Sequence, residues 1–445
     1  MEDQVRSKAP MKHGVMVVVS VVVIFVAAVG VFFLLSKGKG IDTFFEGVSE
    51  FTTSSEMQFT GNPDELANST DPVEKGFFLS GGQCEGEGSK ELTHVPMDPN
   101  DIGVIVPHGL MVTTHVTPVD HQYYYQTNPS APKDTYPVYA PADGMVVGVE
   151  HHEEGDERWR IVITYSCTFF SYYDLLTDFA PELQAQLPAD WGPNNQGNIR
   201  IPVKSGDVIG SVGGQSLDFA VWDTTVSLPG LLYPTAYNNA EPWKLHTVSP
   251  LAYFSDDVAA KLRPKYVGDS SDPDGKLDYD IAGKAIGNWF AEGTNGYLGS
   301  TQFGGGSEGY YQGHLTLAYD NFDTDALTVS IGDFEGRPRQ FTVSGEALDF
   351  ADVDVSSGVV KYQLAERQFL DARGVGWNGS VFTESVQLVP GAVVGTLLIQ
   401  VLPEDQLRVE YVSGKTPDQV SEFSEHAKLY DRGQNATMAR SNTAT

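Results

Sequence analysis

The sequence predicts a mainly β protein with two folded domains and one N-terminal transmembrane helix. Short runs of apolar and β-branched residues recur along the chain, and clusters of Gly, Pro, Asn and Asp separate them. A single long apolar run stands near the N-terminus. At 445 residues the chain has room for two or three domains, each with its own core. We therefore expect a β-sheet domain of the barrel-sandwich kind, followed by an antiparallel β-barrel or sandwich.

The long apolar run, Val15–Leu35, contains no charged residue. A helix of about 20 residues crosses the hydrocarbon layer, whereas a cleaved signal peptide has a shorter apolar core. We expect an uncleaved, single-pass anchor in the cell membrane, with residues 1–14 in the cytoplasm and the bulk of the chain extracytoplasmic. Sequons at Asn68, Asn378 and Asn435 agree with an exported chain.

Charge and cysteine content exclude two kinds of site. The chain carries 28 Lys and Arg against 59 Asp and Glu, a formal net charge of -31. Nucleic-acid binding needs a basic face, so no nucleic-acid partner is expected. Two cysteines, Cys84 and Cys167, are too few for a zinc site built from several thiolates. They form either one disulfide or two free thiols, because the pairing cannot be read from sequence.

Shifts in composition predict the domain boundaries. Gly38–Asn100 is rich in Ser, Gly, Glu, Asp and Thr, and this composition predicts a stalk with little structure. The expected order is a cytoplasmic N-terminus (1–14), an anchor (15–35), a stalk (36–100), a first folded domain (101–254), a linker (255–275), a second folded domain (276–432) and a disordered tail (433–445).

Two stretches with similar turn signals organise the first domain. Tyr136–Gly144 predicts a strand, a turn and the start of another strand, and Val203–Val221 repeats this pattern. A third strand, Trp159–Cys167, lies between them in the chain. Helical spacing predicts a helix over Leu175–Leu187. Together these elements indicate a compact sheet of short strands.

Several sequence blocks of this domain match one family in their order. PVYAPADGMVVGV is followed by IVITYS, by PVKSGDVIGSVGG with a LxFxV strand, and by SPLAYF at residues 249–254. This arrangement resembles the lysostaphin-type zinc endopeptidases, which cut peptidoglycan cross-links. The resemblance covers residues 103–254, about a third of the chain, and implies the fold of that peptidase domain.

The same resemblance implies a degenerate catalytic site. That family binds zinc through a His and an Asp of an HxxxD-like motif and through the second His of an HxH motif. Two further His residues assist the attacking water. Here only the first motif keeps its residue types, as His115, Asp120 and His121, with altered spacing. The other positions correspond to residues that are not histidine: Asp174, Ser216 and Asp218.

These replacements bear on the chemistry of the site. A hydrolytic zinc needs about three protein ligands and one open position. His121, Asp120 and Asp218 could form a carboxylate-rich metal site, which would suit Ca²⁺ or Mg²⁺ better than Zn²⁺. We expect instead a polar cluster whose members satisfy one another, with no catalytic residue and no cofactor.

The second domain is expected to be all β. About eight strand candidates follow at short intervals between Ala285 and Val412, and Gly287–Trp289 matches the GxW of lipocalin-like barrels, which favours a barrel. Its interior could be a filled core or could hold a small apolar ligand. An amphipathic pattern predicts a C-terminal helix over Pro417–Asp431. Before this domain, Asp269–Asp280 is expected to be a linker turn rather than a calcium loop, because it lacks the terminal Glu of an EF-hand.

The expected function is binding or scaffolding at the cell envelope, without hydrolase activity. The partner would be an envelope protein, a glycan or a peptide. In the family that the first domain resembles, relatives without zinc ligands activate other wall hydrolases, so the resemblance implies a partner protein. The alternative is a metal-dependent cell-wall or peptide hydrolase that uses His115, His121, Asp120 and Asp218. A third hypothesis is a small-ligand carrier that uses the second domain.

Overall fold

The computed structural model describes residues 69–434 and 436, apart from 86–87, 153–157, 190, 192–195, 239, 269–272, 300–308, 380 and 435. The predicted anchor, Val15–Leu35, and most of the predicted tail lie outside these residues. Within the described part of the chain, no helix is long and apolar enough to cross a membrane. The described part is mainly β, and its sheets are antiparallel.

The strands of the first domain are β1 (Ile102–Val106), β2 (Gln122–Gln126), β3 (Tyr136–Tyr139), β4 (Gly144–His152), β5 (Arg158–Ser166), β6 (Phe169–Leu176), β7 (Asp178–Phe179), β8 (Gln196–Val203), β9 (Val208–Val212), β10 (Leu217–Asp223) and β11 (Thr247–Val248). The helices of the described chain are α1 (Pro72–Leu79), α2 (Pro181–Gln184), α3 (Thr235–Asn238) and α4 (Asp256–Leu262). The 3₁₀ turns that matter below are Pro242–His246, Gly296–Leu298, Tyr310–Gly313 and Pro417–Gln419.

The first domain is built on two sheets. The larger sheet has the strand order β1-β2-β10-β6-β5-β4-β8, with β11 paired to β10, and the smaller one has the order β3-β9-β7. Strand β5 shows why the sequence folds this way. Ile161 and Ile163 face the core between the sheets, whereas Val162 lies on the opposite face in a cluster with Trp222. Both faces of the larger sheet are therefore covered, and its strands are apolar almost throughout.

The predicted helix over Leu175–Leu187 is wrong for most of its length. Strand β6 continues to Leu176, and β7 follows at once. Leu176 and Phe179 are fully buried in the sheet core, which fixes the chain there as strands. Pro181 then starts the four-residue helix α2, because proline has no N–H to donate inside a longer helix.

The predicted stalk is folded in its described part. Helix α1 begins at its cap Asp71, whose side chain accepts a hydrogen bond from the N–H of Val73 at 2.8 Å. Cys84 forms a disulfide with Cys167, and the two Cα atoms are 4.9 Å apart. Leu92 is fully buried in the core between the two sheets. The prediction of little structure is therefore wrong for this segment, since the disulfide and buried apolar side chains fix it to the first domain.

The second domain is a closed barrel of eight antiparallel strands. These are β12 (Gly287–Ala291), β13 (His314–Tyr319), β14 (Leu327–Phe334), β15 (Arg337–Ser344), β16 (Val360–Asp371), β17 (Val386–Leu402), β18 (Gln406–Ser413) and β19 (Lys428–Asp431). The end of the predicted strand Ser380–Leu388, from Val386 onward, and all of Val393–Leu402 belong to one long strand, β17, because the long partner β16 pairs with it on both sides of Gly391.

The C-terminal helix predicted over Pro417–Asp431 is wrong. Only Pro417–Gln419 forms a 3₁₀ turn, and Lys428–Asp431 is strand β19, which pairs with both β12 and β18. Tyr430 is buried in the barrel core. The barrel gains its last backbone hydrogen bonds from this strand, and that gain outweighs the amphipathic pattern of the sequence.

Side chains fill the barrel interior. Fully buried residues there include Trp289, Leu317, Phe341, Leu397 and Leu407. A cavity of about 270 Å³ lies at one mouth of the barrel, and its walls mix aromatic side chains with charged ones such as Glu410 and Lys428. Of the two predicted interiors, a filled core and a ligand-holding cavity, the barrel has the filled core.

The barrel packs on the outer face of β1 and β2. Val104, Val106 and Tyr123 share a buried cluster with Phe322 and Phe369 of the barrel. Hydrogen bonds also join the two domains here. The guanidinium of Arg367 donates to the backbone carbonyl of Met111 at 2.9 Å, and the side-chain amide of Gln340 donates to the backbone carbonyl of Thr113 at 2.9 Å. The barrel therefore covers the end of the sheet that carries the candidate site.

Candidate functional site

Three neighbouring strands bring the predicted site residues together. Strand β10 lies between β2 and β6, and its Asp218 pairs with Asp174 of β6 and with Tyr123 of β2. Asp120 and His121 immediately precede β2. The registers place the predicted residues at one end of the sheet, as the family resemblance implies.

His121 lies between two carboxylates. Its Nδ1 is 3.2 Å from Oδ1 of Asp120, and its Nε2 is 3.4 Å from Oδ2 of Asp218. The side chains are mostly buried, with 12% of His121 and 9% of each Asp exposed. The hydroxyl of Ser216 lies 3.3 Å from Oδ1 of Asp218 and donates to it. The imidazole thus forms a bridge between two acids.

Burial and neighbouring charge shift the pKa values of this bridge. Burial disfavours a charged His121, but the carboxylates of Asp218 and Asp120 outweigh burial and raise the pKa of the imidazole. Burial, with repulsion from Asp174, raises the pKa of Asp218 to about 7 against the attraction of His121. Burial also favours a raised pKa for Asp120, but the nearby Lys244 and His121 have the larger effect, and the pKa of Asp120 is lowered.

Asp174 is held by an arginine from the neighbouring strand. Nε and Nη2 of Arg160 donate to one carboxylate oxygen of Asp174 at 3.0 and 2.6 Å, and Nη1 donates to Glu150 at 3.1 Å. The hydroxyl of Tyr172 donates to the same oxygen of Asp174 at 3.0 Å. Burial alone would raise the pKa of Asp174, but Arg160 more than offsets it, and the pKa falls to about 2.

Asp120 has a second group of partners, from the turn Pro242–His246. The indole of Trp243 donates to Oδ2 of Asp120 at 3.0 Å. The ammonium of Lys244, which is 1% exposed, lies 4.0 Å from Oδ1 of Asp120 and 3.7 Å from the carboxylate of Glu241. Asp120 therefore has the basic groups of His121 and Lys244 beside Oδ1 and the neutral indole of Trp243 on Oδ2.

His115 lies beside this network without joining its acids. Its ring centroid is 5.8 Å from that of His121, in an edge-to-face contact. Burial is the main cause that lowers the pKa of His115 to about 3, so its ring is neutral at physiological pH. His108, which the sequence reasoning missed, is also buried, and burial lowers its pKa to about 3.

Aromatic side chains of the barrel cover the network. Tyr297 and Tyr310 come from the connection between β12 and β13, and both are buried. The ammonium of Lys244 lies 5.2 Å from the centroid of the Tyr297 ring, and Tyr310 packs on Tyr297 with centroids 5.6 Å apart. The second domain thus closes over the site of the first.

Sequence reasoning missed Arg160, Glu150, Glu241, Trp243 and Lys244. Arg160 does carry a signal, since it alternates with apolar residues on β5 and that strand pairs with β6, which carries Asp174. The turn Pro242–His246 has no motif that points to the site, because only the folding of the chain brings it beside Asp120.

The zinc ion that the family resemblance implies does not fit these side chains. Each ring nitrogen of His121 faces a carboxylate oxygen, so the imidazole and the two acids do not point at one common position. Zinc needs about three ligands at roughly 2.0–2.3 Å from one point. Across the described residues, no group of three or more His, Cys, Asp and Glu side chains could hold a metal ion. Arg160 and Lys244 instead supply the positive charge that the buried acids need.

Comparisons with known proteins give structural neighbours only. No family model and no curated protein matches the chain. Csd3 of Helicobacter pylori is 18% identical, with 37% of this chain and 35% of that chain covered and a TM-score of 0.22. The antimicrobial peptidase lysostaphin of Staphylococcus simulans is 10% identical, with coverages of 76% and 90% and a TM-score of 0.22. A zinc-containing peptidase from Vibrio cholerae is 19% identical, with coverages of 31% and 37% and a TM-score of 0.17.

These neighbours include lysostaphin, whose family the sequence blocks resemble. The chain spans about a third of the Csd3 structure. At such TM-scores the likeness carries no argument about family or activity, and membership of the lysostaphin-type family stays a prediction. What is established is a mainly β chain in which two domains enclose a buried network of charged side chains.

Proposed function

We propose that this protein is a membrane-anchored, extracytoplasmic binding or scaffolding protein of the cell envelope, and that its peptidase-like domain does not hydrolyse. One observation carries the proposal: each ring nitrogen of His121 faces a carboxylate. Nδ1 is hydrogen-bonded to Asp120 at 3.2 Å, and Nε2 lies 3.4 Å from Asp218 in an ion-pair contact that is not a hydrogen bond. A histidine in this position is already paired with acids, and it stabilises the fold in the place where a hydrolase would bind its metal.

Access to the network supports the same proposal. A hydrolase must bring the scissile bond within about 3 Å of its nucleophile and its proton donors. Here His121 and Asp218 are about nine-tenths buried, and Tyr297 of the barrel packs over Lys244. A peptide cross-link would have to displace the barrel to reach His121. Partners are therefore expected on the outer surface of the two domains, and the anchor at Val15–Leu35 would hold that surface at the membrane.

Metal content and hydrolysis test the proposal directly. The full-length chain, purified in detergent, is analysed for zinc and calcium beside its His121→Ala and Asp218→Asn variants. Each preparation is then incubated with peptidoglycan and with synthetic cross-link peptides. We expect substoichiometric metal and equal, background-level product release from all three proteins. About one metal ion per chain, lost in both variants together with peptide cleavage, would replace the proposal with the metal-dependent hydrolase.

Fractionation tests the anchor, and cross-linking in the envelope tests the binding role. The full chain is expected in the membrane fraction, with its folded domains open to protease added outside the cytoplasmic membrane. A variant that lacks residues 15–35 is expected in the soluble fraction. Recovery of the same envelope partner with the wild type and with His121→Ala would support a scaffold whose action is independent of the buried network.

A further inference from the structure

A second feature lies apart from the His121 network, in a cavity between the two domains. Its volume is about 590 Å³, inside the roughly 300–1,000 Å³ of small-molecule sites. Gly230 of the first domain forms one wall, Lys276 and Asp278–Ile281, which lie before the first barrel strand, form a second, and Tyr319 and Asn321 of the barrel form a third. Ile281 is 46% exposed, so the cavity opens to solvent beside it.

The carboxylates of this cavity are fixed in place and neutralised. Asp278 accepts a hydrogen bond from the backbone N–H of Gly230 at 2.9 Å and from the ammonium of Lys276 at 2.7 Å. Asp280 is 3.0 Å from Nη1 of Arg432 and accepts from the backbone N–H of Asn288 at 2.7 Å. Asp278, whose side chain is 9% exposed, can therefore accept from a ligand, whereas Asp280, at 2%, is held by its protein partners. The charges of these two acids, Lys276 and Arg432 sum to zero.

The same cavity contains a buried hydrogen-bond donor that has no acceptor among the described residues. Asn321 is 5% exposed, and its Nδ2 has no hydrogen-bond partner among the described residues. A buried amide nitrogen without a partner destabilises the folded protein, because it has lost its hydrogen bonds to water. Since the side chain lines the cavity, a ligand that accepts a hydrogen bond would satisfy it.

Two tyrosines supply flat apolar surface beside these polar groups. The rings of Tyr279 and Tyr319 meet edge to face, with centroids 6.0 Å apart. The hydroxyl of Tyr319 donates to the carboxylate of Asp349, with both oxygens 2.9 Å away. This hydrogen bond fixes the position of the Tyr319 ring. Ile286 extends the apolar surface at the base of the cavity.

We infer that this cavity binds a neutral saccharide of one or two pyranose rings. Sugar hydroxyls donate to the fixed carboxylate of Asp278 and accept from the amide of Asn321, and the C–H faces of a pyranose pack on tyrosine rings. A charged ligand fits less well, because Lys276 and Arg432 already neutralise the two acids. A wholly apolar ligand would leave the Asn321 amide without a partner. The inference goes beyond the proposed function and does not depend on the state of the His121 network.

Calorimetric titration of the full-length protein in detergent tests this site. The probes are glucose, galactose, mannose, N-acetylglucosamine, cellobiose and chitobiose, each up to about 10 mM, which detects dissociation constants in the millimolar range. Two variants disable the cavity in different ways. Asn321→Leu removes the amide, and Ile281→Trp fills the mouth without removing any polar group. His426→Ala, on the exposed surface near a mouth of the barrel, is the matched control.

We expect saturable binding of at least one probe at one site per chain. The affinity should fall at least tenfold in Asn321→Leu and in Ile281→Trp and stay unchanged in His426→Ala. Binding that persists in Ile281→Trp would place the sugar elsewhere and overturn the inference, whatever Asn321→Leu does. Failure of every probe to bind the wild type would also overturn it. Neither result bears on metal content or hydrolysis, so this inference and the proposed function fail separately.

Discussion

Nε2 of His121 lies 3.4 Å from Oδ2 of Asp218, and this contact joins the segment before β2 to strand β10 across the candidate site. Asp120 faces the other ring nitrogen at 3.2 Å. An imidazole between two buried acids is a stabilising arrangement only while all three members remain, because a lone buried charge is costly.

Removal of the imidazole tests that dependence. His121→Ala leaves Asp120 and Asp218 without their shared partner, and we expect the free energy of unfolding to fall by about 3–5 kcal/mol. Thermal and urea unfolding of the purified protein measure this loss. His426→Ala, an exposed histidine of the barrel domain, is the control and should stay within about 0.5 kcal/mol of the wild type. Equal stability of the two variants would show that the bridge contributes nothing.

Asp218 also makes stability depend on pH. Its pKa is about 7 in the folded protein against an ordinary value of 3.8, so between these pH values the folded state binds a proton that the unfolded chain releases. The stability that protonated Asp218 contributes is therefore complete below about pH 4. It decreases by up to about 1.4 kcal/mol per pH unit as the pH rises from 4 to 7, and it is lost above pH 7. The raised pKa of His121 acts in the same direction above pH 6.5.

The Asp218→Asn variant isolates this contribution. Its free energy of unfolding should change less steeply than that of the wild type between about pH 5 and pH 7. Asp280, whose pKa burial raises to about 6, remains in both proteins and adds the same slope to each. Unfolding curves at several pH values measure the difference, and parallel slopes would contradict the assignment.

Arg160 is expected to be the most sensitive residue of the network. It forms ion pairs with both Asp174 and Glu150, and Arg160→Met would remove this guanidinium from two buried carboxylates. We expect a loss of about 3–5 kcal/mol at neutral pH. The double variant Arg160→Met, Asp174→Asn should regain part of that loss, since the asparagine carries no charge. A double variant less stable than Arg160→Met would show that Asp174 is stabilised by something else.

The disulfide gives a prediction about the segment that precedes the first domain. Cys84 and Cys167 are 83 residues apart, and closure of a loop of this length lowers the entropy of the unfolded chain by an amount worth about 4 kcal/mol. The Cys84→Ser, Cys167→Ser variant should lose about that much stability. Dithiothreitol should lower the melting temperature of the wild type to that of the variant and leave the variant unchanged.

The predictable parts of the site are those that a strand register determines. Asp174 and Asp218 occupy positions that sequence blocks align with the family pattern, and the pairing of β6 with β10 places them side by side. Lys244 and Trp243 could not be predicted, because they reach Asp120 from a turn with no periodicity or motif. The cavity between the domains could not be predicted either, since three separate segments form its walls.

The secondary-structure elements also divide into those that the local sequence predicts and those that it does not. Local alternation predicted most barrel strands, such as β13 and β18, because one face of each packs on the core. Local pattern failed where pairing with a distant strand decides the conformation. Residues 428–431 have the apolar spacing of a helix, but contacts with β12 and β18 make them a strand. Strands likewise take most of residues 175–179, so the helix α2 begins only at Pro181.

The pairing of β12 with β19 has a consequence for how the protein is made. The first strand of the barrel pairs with a strand that follows every other barrel strand in the chain, so this pairing forms only after all of them have been made. Until then β12 and β18 each present an open edge, which is prone to pair with other chains. A chain that stops before Lys428 would keep both edges open, and we expect it to aggregate more readily than the closed barrel.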